Sequence, residues 1–330
     1  MPKIVIPDDS PPQMKGTRAL GHLIKKYGDV KLYNSKTSSQ EEFIQRMRKA
    51  EVVINVRAYS KFTEEVFKGC FYLKLLSVLG TGTDQVDLEA ASKYNVLVTN
   101  TPGFAAIAVA EHALTLMLSV ARRISLIDRE VKEGKWPRGL MTQLYGKTLG
   151  LIGLGAIGGQ LARISKGIGM KVISCTFHPS KERAQNYGVE FVSLDELIKQ
   201  ADVISIHLRL SSQTQNLIEE KEFSLMKPTV IVINTARGAI IDKKALLDAL
   251  TSGKIAGAGL DVFDKEPLPP DDPLLKLNNV VLTPHNAGMT PETIEKGAQM
   301  AVDNIINYFQ GDPTNVVNKE ILDVLNKREG

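Results

Sequence analysis

Short aliphatic and β-branched runs alternate along this chain with segments whose apolar residues recur every three or four positions. Residues 4–6, 30–33, 52–56 and 73–79 read as buried strands, and 14–26, 40–48 and 63–68 carry helical spacing between them. Such alternation predicts parallel strands joined by crossover helices, an α/β fold. A further strand at 96–99 runs into Asn100-Thr101-Pro102-Gly103, where proline and glycine stop regular structure and mark a boundary. Beyond it, Ile107, Ala110, Leu114, Met117, Ala121, Ile124 and Val131 predict one long helix ending near Gly134, with Leu116, Leu118 and Val120 as a second apolar face that suits a partner subunit. The alternation restarts with strands at 148–153, 171–175, 202–207, 230–234, 256–261 and 280–283. A last helix over 291–310 follows, and the tail after it is too short for a domain and is expected to return to the first one. The expected organisation is two doubly wound parallel-sheet domains, one built from 1–101 with 291–330 and the other, 102–290, inserted into it.

Composition narrows the function classes. Lysine and arginine (41) exceed aspartate and glutamate (37) by four, and the basic residues are scattered, so nucleic acid is not an expected partner. The mild positive excess suits a small anionic substrate. Cys70 and Cys175 form neither a disulfide framework nor a metal-binding pattern, and the opening Met1-Pro2-Lys3-Ile4-Val5-Ile6 is too short an apolar stretch for a signal or a span. These features place the chain in the cytoplasm, away from membranes and without a metal.

The first chemical signature follows the strand at 148–153. Gly153-Leu154-Gly155-Ala156-Ile157-Gly158 is a G-x-G-x-x-G between that strand and a helical run through Ile157, Leu161, Ile164 and Ile168. In this context the first glycine permits the tight turn, the second admits a pyrophosphate, and the third lets helix and strand approach. The helix N-terminus then offers free N–H groups to the anion. The acidic residue that normally follows about 20 positions later to bind the ribose hydroxyls is missing. Thr176-Phe177-His178-Pro179-Ser180-Lys181 stands there instead; His178, Ser180, Lys181 or Arg183 could contact a 2′-phosphate and threonine also tolerates NAD, so the expected cofactor is NAD or NADP.

Three polar motifs then fall at predicted strand ends: Thr235-Ala236-Arg237-Gly238, Asp261 with Glu266-Pro267, and Thr283-Pro284-His285. Ligands bind at the carboxyl ends of strands in open α/β sheets. Singly, each residue has an ordinary structural explanation as an ion-pair partner, a turn residue or a solvated loop charge. Their convergence beside a dinucleotide signature favours chemistry.

These motifs, together with Met226-Lys227-Pro228, Gly259-Leu260-Asp261-Val262-Phe263, Val56-Arg57, Gly80-Thr81-Gly82-Thr83-Asp84 and Asn100-Thr101-Pro102-Gly103, resemble the D-isomer-specific 2-hydroxyacid dehydrogenases over nearly the whole chain. The resemblance implies a flavodoxin-like substrate domain with an inserted Rossmann NAD(P)-binding domain, and interconversion of a D-2-hydroxy acid and a 2-keto acid; the homodimer is expected from the second apolar face of the long helix. It implies that His285 exchanges the proton, Glu266 pairs with it, and Arg237 binds the substrate carboxylate. Arg57, Gly80, Thr81 and Gly82 would join Arg237 and His285 around the substrate. The cofactor would meet the glycine turn, including Ala156 and Ile157, then Thr176 and His178, and then His207 and Thr214. Thr235, Ala236, Arg237, His285 and Gly288 would complete its contacts, with Asp261 on the nicotinamide carboxamide. Histidine suits the proton because it titrates near neutrality, and guanidinium suits the carboxylate because its donors form a planar fork.

Two departures bear on substrate and cofactor. Phe104-Ala105-Ala106 replaces polar residues that many relatives carry, and His207-Leu208-Arg209 replaces a frequent His-x-Pro. The narrower alternatives are a phosphoglycerate dehydrogenase, with Arg57 meeting the phosphate and no room for an appended regulatory domain, and a dinucleotide-sensing protein resembling the corepressors of this fold.

Overall fold

The computed structural model describes residues 1–56 and 59–322. The chain divides into two compact units, Met1–Phe104 with Thr290–Gly330, and Ala105–Met289. The divisions fall three residues later and one residue earlier than the boundaries expected at 101 and 290.

The first unit carries β1 (Ile4–Ile6), α1 (Arg18–Tyr27), β2 (Val30–Leu32), α2 (Gln40–Met47), β3 (Val52–Asn55), α3 (Glu64–Gly69), β4 (Leu75–Val78), α4 (Leu88–Lys93) and β5 (Leu97–Thr99). Its sheet has the order β2-β1-β3-β4-β5, with every pair parallel. Alternate strand residues feed two cores. Ile4, Ile6, Val52, Ile54, Leu75 and Leu97 share one with Leu23 of α1, whereas Val5, Val53, Leu76 and Val98 share the other with Phe43 of α2 and Phe67 of α3. The expected helix start at residue 14 is corrected to Arg18. The buried Asp9 carboxylate accepts the backbone N–H groups of Gln13, Met14 and Lys15, so these residues turn around it, and Thr17 caps α1 instead.

The second unit opens with α5 (Ala106–Ala121) and α6 (Ile124–Lys132) where one continuous helix is expected. Arg123 takes a left-handed conformation (φ 51°), and the Thr142 N–H donates to Ala121 O, so the helix is closed by tertiary contact without a glycine. Its buried face is Ala110, Ala113, Leu116, Met117 and Ala121. Ile107 is exposed, and Leu116, assigned to the outer face by periodicity, is 2% exposed.

There follow β6 (Thr148–Ile152), α7 (Ala156–Gly167), β7 (Lys171–Cys175), α8 (Lys181–Tyr187), β8 (Glu190–Phe191), α9 (Leu194–Gln200), β9 (Val203–Ile206), α10 (Glu220–Leu225), β10 (Ile231–Asn234), α11 (Lys243–Thr251), β11 (Gly257–Leu260) and β12 (Val280–Leu282). The sheet order is β12-β11-β10-β9-β6-β7-β8, again all parallel. Strand order reverses beside β6, where β9 pairs on one side and β7 on the other, and this switch point opens the crevice that receives ligands in such sheets. The chain then re-enters the first unit through α12 (Pro291–Phe309), whose Ala298, Ala301, Val302 and Ile305 complete the core above β1, β3 and β4. The Asn318 side chain accepts from Val98 N and donates to Val96 O, tying the tail to β5. No helix among the described residues is long and apolar enough to cross a membrane. Both thiols are free.

Candidate active site

In the second unit, the turn after β6 is shaped for an anion. Gly153 sits at φ +103°, and a Cβ there would come within 2.6 Å of His207 O, so the position excludes side chains on both counts. Gly155 differs: a Cβ there would meet nothing within 4 Å, leaving the approach to α7 open. Gly155 is also the N-cap of α7 and supplies no side-chain cap. The first-turn amides of α7 are therefore left without a side-chain cap, which suits a pyrophosphate there. Ala156 is exposed and Ile157 half-buried beside it.

Two buried polar atoms at the strand ends, Thr235 Oγ1 and His207 Nδ1, have no partner among the described residues. Both suit a polar ligand in the crevice, so the residues present fit a dinucleotide. The His207 Nε2 lies 2.9 Å from Ser205 Oγ, and burial pushes this imidazole from its ordinary 6.5 down to about 4, so the ring is neutral near pH 7. At the end of β7, Thr176 is half-buried and His178 exposed; the Arg183 guanidinium donates to His178 O and to Leu154 O of the glycine turn. Thr214 is buried, and its hydroxyl accepts from Ser211 N and donates to Arg209 O, so it fixes the 209–214 loop.

The ends of β10, β11 and β12 carry the remaining residues. Asn234, buried at the end of β10, accepts from Ala236 N and donates to Arg237 O, closing the turn that presents Arg237. Gly238 lets this turn lie directly against the Phe263–Asp264 backbone, where any Cβ would overlap. Glu266 follows on that neighbouring loop: one carboxylate oxygen accepts from Phe263 N at 3.0 Å and the other lies 2.7 Å from His285 Nδ1. Burial alone would raise the Glu266 carboxyl, but the hydrogen bonds from His285 and Phe263 and the charges of His285 and Arg237 outweigh it, and the carboxyl is held below its ordinary value. The side chains of His285 and Glu266 remain 39% and 35% exposed, open enough to meet a substrate. His285 itself has a left-handed φ of 52°.

Asp261 is 1% exposed, and its carboxylate accepts from Thr283 Oγ1 (2.6 Å), Asn286 N (3.0 Å) and Ala287 N (2.9 Å). It anchors the turn that carries His285, a task the motif itself does not reveal. Gly288 ends this turn, close to the Ala105 side chain. Sequence reading also passed over His112 of α5, whose half-buried Nε2 lies 2.9 Å from Thr283 Oγ1; its one signal in the sequence was an imidazole interrupting an apolar helical run.

The first unit holds the glycine-rich loop after β4. The Gly80 N–H donates to Thr101 Oγ1 and Val78 O, which fixes the start of this loop. Thr81 Oγ1 donates to Thr101 O, and Thr81 O accepts from Asn100 Nδ2, while the amides of Thr81 and Gly82 make no bond among the described residues. Phe104, in place of a polar residue, packs over Gly297 of α12. Arg57 lies outside the described residues.

Comparison with known proteins gives the family. Residues 114–287 match the model of the D-isomer-specific 2-hydroxyacid dehydrogenase NAD-binding domain. A glyoxylate reductase of Korarchaeum cryptofilum is 39% identical over 293 residues, covering 87% of this chain and 88% of the relative. A D-3-phosphoglycerate dehydrogenase of Archaeoglobus fulgidus is 43% identical over 283 residues, 85% of this chain but 54% of that longer protein. Among solved structures, an acyclic imino acid reductase in complex with NADPH and D-Arg superposes with a TM-score of 0.86 at 33% identity, covering 96% of this chain and 99% of that one. With a family match over more than half its length and relatives of this identity, the chain belongs to the D-isomer-specific 2-hydroxyacid dehydrogenases, nicotinamide-dependent oxidoreductases that act on CH–OH donors.

Proposed function

We propose that this enzyme interconverts a small 2-keto acid and the corresponding D-2-hydroxy acid, with His285 and Glu266 as the acid–base pair and Arg237 as the carboxylate receptor. The observation that carries the proposal is the 2.7 Å His285–Glu266 pair at the same sheet mouth as the Arg237 turn and the glycine crevice. A bound nicotinamide cofactor supplies or accepts the hydride at the substrate carbon. In reduction the His285 imidazolium gives its proton to the ketone oxygen, and in oxidation the neutral ring takes it from the hydroxyl. Glu266 holds the Nδ1 proton, fixes the ring orientation and leaves Nε2 for the substrate. Arg237 offers two parallel donors to the carboxylate and draws charge from the adjacent carbonyl.

The amides of Thr81 and Gly82, unbonded among the described residues, suit an anion and support their assignment to substrate. Thr176, lacking a carboxylate, supports use of both NAD and NADP. The test is a panel of keto acids: glyoxylate, hydroxypyruvate, 3-phosphohydroxypyruvate and bulkier 2-keto acids, each with NADH and NADPH. Turnover of the small unphosphorylated acids is expected; turnover of 3-phosphohydroxypyruvate alone would make the phosphoglycerate dehydrogenase reading correct, and no turnover with any of them would remove the proposal.

A homodimer is part of this reading. Its support is a run of exposed apolar residues in the second unit: Ile124 and Val131 on α6, then Trp136 (77% exposed), Leu140, Met141 and Tyr145. Sedimentation is expected to show a dimer that Leu140→Asp and Trp136→Asp together dissociate.

A further inference from the structure

The His285 turn is held from behind by a relay that starts on another element. Thr283 has one hydroxyl proton, and Asp261 Oδ1 lies 2.6 Å from its Oγ1. An ionised carboxylate can only accept, so that proton points to Asp261. The 2.9 Å contact between Thr283 Oγ1 and His112 Nε2 then requires the imidazole to donate. The arrangement thus fixes a proton on Nε2 of His112. The same ring nitrogen stands 3.5 Å from Asp261 Oδ1, and the His112 side chain is 21% exposed against 1% for Asp261.

Everything downstream of the relay bears on His285. Asp261 also holds Asn286 N and Ala287 N, the two residues after His285, and Thr283 accepts His285 N through its carbonyl at 3.1 Å. His285 adopts a left-handed φ of 52°, a conformation that surrounding contacts must hold in place. Three donors converging on Asp261 from 283–287 supply that restraint. Without His112 the Thr283 hydroxyl loses its only side-chain donor among the described residues, and its orientation rests on the bond to Asp261 alone.

We infer that His112 is a positioning residue for the reaction: its Nε2–H, relayed through Thr283 to Asp261, sets the turn that places His285 against Glu266. The inference rests on His285 being the acid–base group. His112 belongs to α5, distant in sequence from every motif at the sheet mouth, and it touches neither reacting group.

Two measurements on the full chain test it. Long-range proton–nitrogen NMR resolves the ring nitrogens of the five histidines, with His112→Gln identifying the His112 signals. A protonated Nε2 is expected, and a neutral ring protonated at Nδ1 alone overturns the inference. In steady-state reduction, His112→Leu and Thr283→Val should each lower kcat roughly 10- to 100-fold, the range for a small misplacement of a reacting group, with a smaller change in KM. His112→Gln, whose side-chain amide can reach the position of Nε2, should retain most of the activity, and the double variant should be no slower than either single one. The alkaline limb of reduction should move to lower pH in His112→Leu as His285 separates from Glu266; Asp261 is the charged group facing His112, and Glu266, with Arg237 behind it, faces His285. A space-filling role predicts additive losses that follow the melting temperature, an unmoved limb and no rescue by glutamine, and that outcome overturns the inference. His285→Ala separates the two failures. Full turnover in that variant removes the proposed function, whereas an inactive His285→Ala beside an unimpaired His112→Leu removes this inference alone.

Discussion

Two glycines of one turn should fail in different ways when alanine replaces them. At Gly153 the backbone has φ +103°, and the new Cβ would stand 2.6 Å from the backbone oxygen of His207. The left-handed side of the map costs roughly 1–2 kcal/mol for a residue with a Cβ. Overpacking against backbone that cannot rotate away costs about 1–3 kcal/mol more. A total near 2–5 kcal/mol corresponds to a fall of roughly 5–15 °C in melting temperature for a unit of this size. At Gly155 nothing lies within 4 Å of the new Cβ, so the fold should be unaffected. That open space is where the pyrophosphate is expected, so Gly155→Ala should weaken NADH binding by about tenfold or more, or ~1.4 kcal/mol. Gly167→Ala, in α7 and also without neighbours, is the control and should gain up to about 1 kcal/mol from helix propensity. Thermal unfolding and NADH fluorescence titration on the three variants read both quantities. A wild-type melting temperature for Gly153→Ala, or wild-type NADH affinity for Gly155→Ala, would refute the reasoning.

Four further outcomes are expected. His207 is lowered to about 4 in the fold, so the unfolded chain binds its proton first as pH falls. Its contribution is therefore fully present above pH ~6.5 and declines through pH 4 by up to about 3 kcal/mol, and His207→Gln should flatten that slope in urea unfolding at pH 7, 5.5 and 4.5. Thr176→Asp places a carboxylate beside the expected 2′-phosphate and should weaken NADPH far more than NADH; equal losses in kcat/KM would show that Thr176 does not face the ribose. Glu266→Gln keeps the side-chain size but removes the charge that favours a protonated His285, so reduction should fade at lower pH and oxidation should extend further into acid, while unchanged pH limbs would uncouple the two residues. Arg237→Lys should raise KM for the keto acid, since an ammonium cannot reproduce the planar fork.

Much of the architecture was legible because parallel strands buried on both faces need unbroken apolar runs. β3, β6, β9 and β10 are such runs, and each lay within a residue or so of its expected bounds. The glycine turn was equally plain, since few other folds place that spacing between strand and helix. What escaped notice depends on contacts between segments distant in sequence. The break between α5 and α6 is made by Arg123, in a conformation usually left to glycine, and by an amide from residue 142. β8, two residues long, pairs with β7 but carries no pattern of its own. Asp9 reshapes 13–15 through its carboxylate, where apolar spacing suggested a helix. In the site, the residue types at the strand ends were readable, but their division of labour was not. Asp261 and Glu266 are both carboxylates after β11, yet one is buried under three donors and the other faces His285, and only the fold separates them.

The central claim is that His285, oriented by Glu266, exchanges the proton in 2-keto acid reduction. The most direct measurement is the rate of NAD(P)H oxidation with the preferred keto acid, for wild type and His285→Ala, across the pH range in which wild type is folded. A loss of roughly 10²- to 10⁴-fold in kcat, with the wild-type pH limb abolished and NAD(P)H affinity retained, is the predicted result. Undiminished turnover with the same pH limb in His285→Ala would contradict the account.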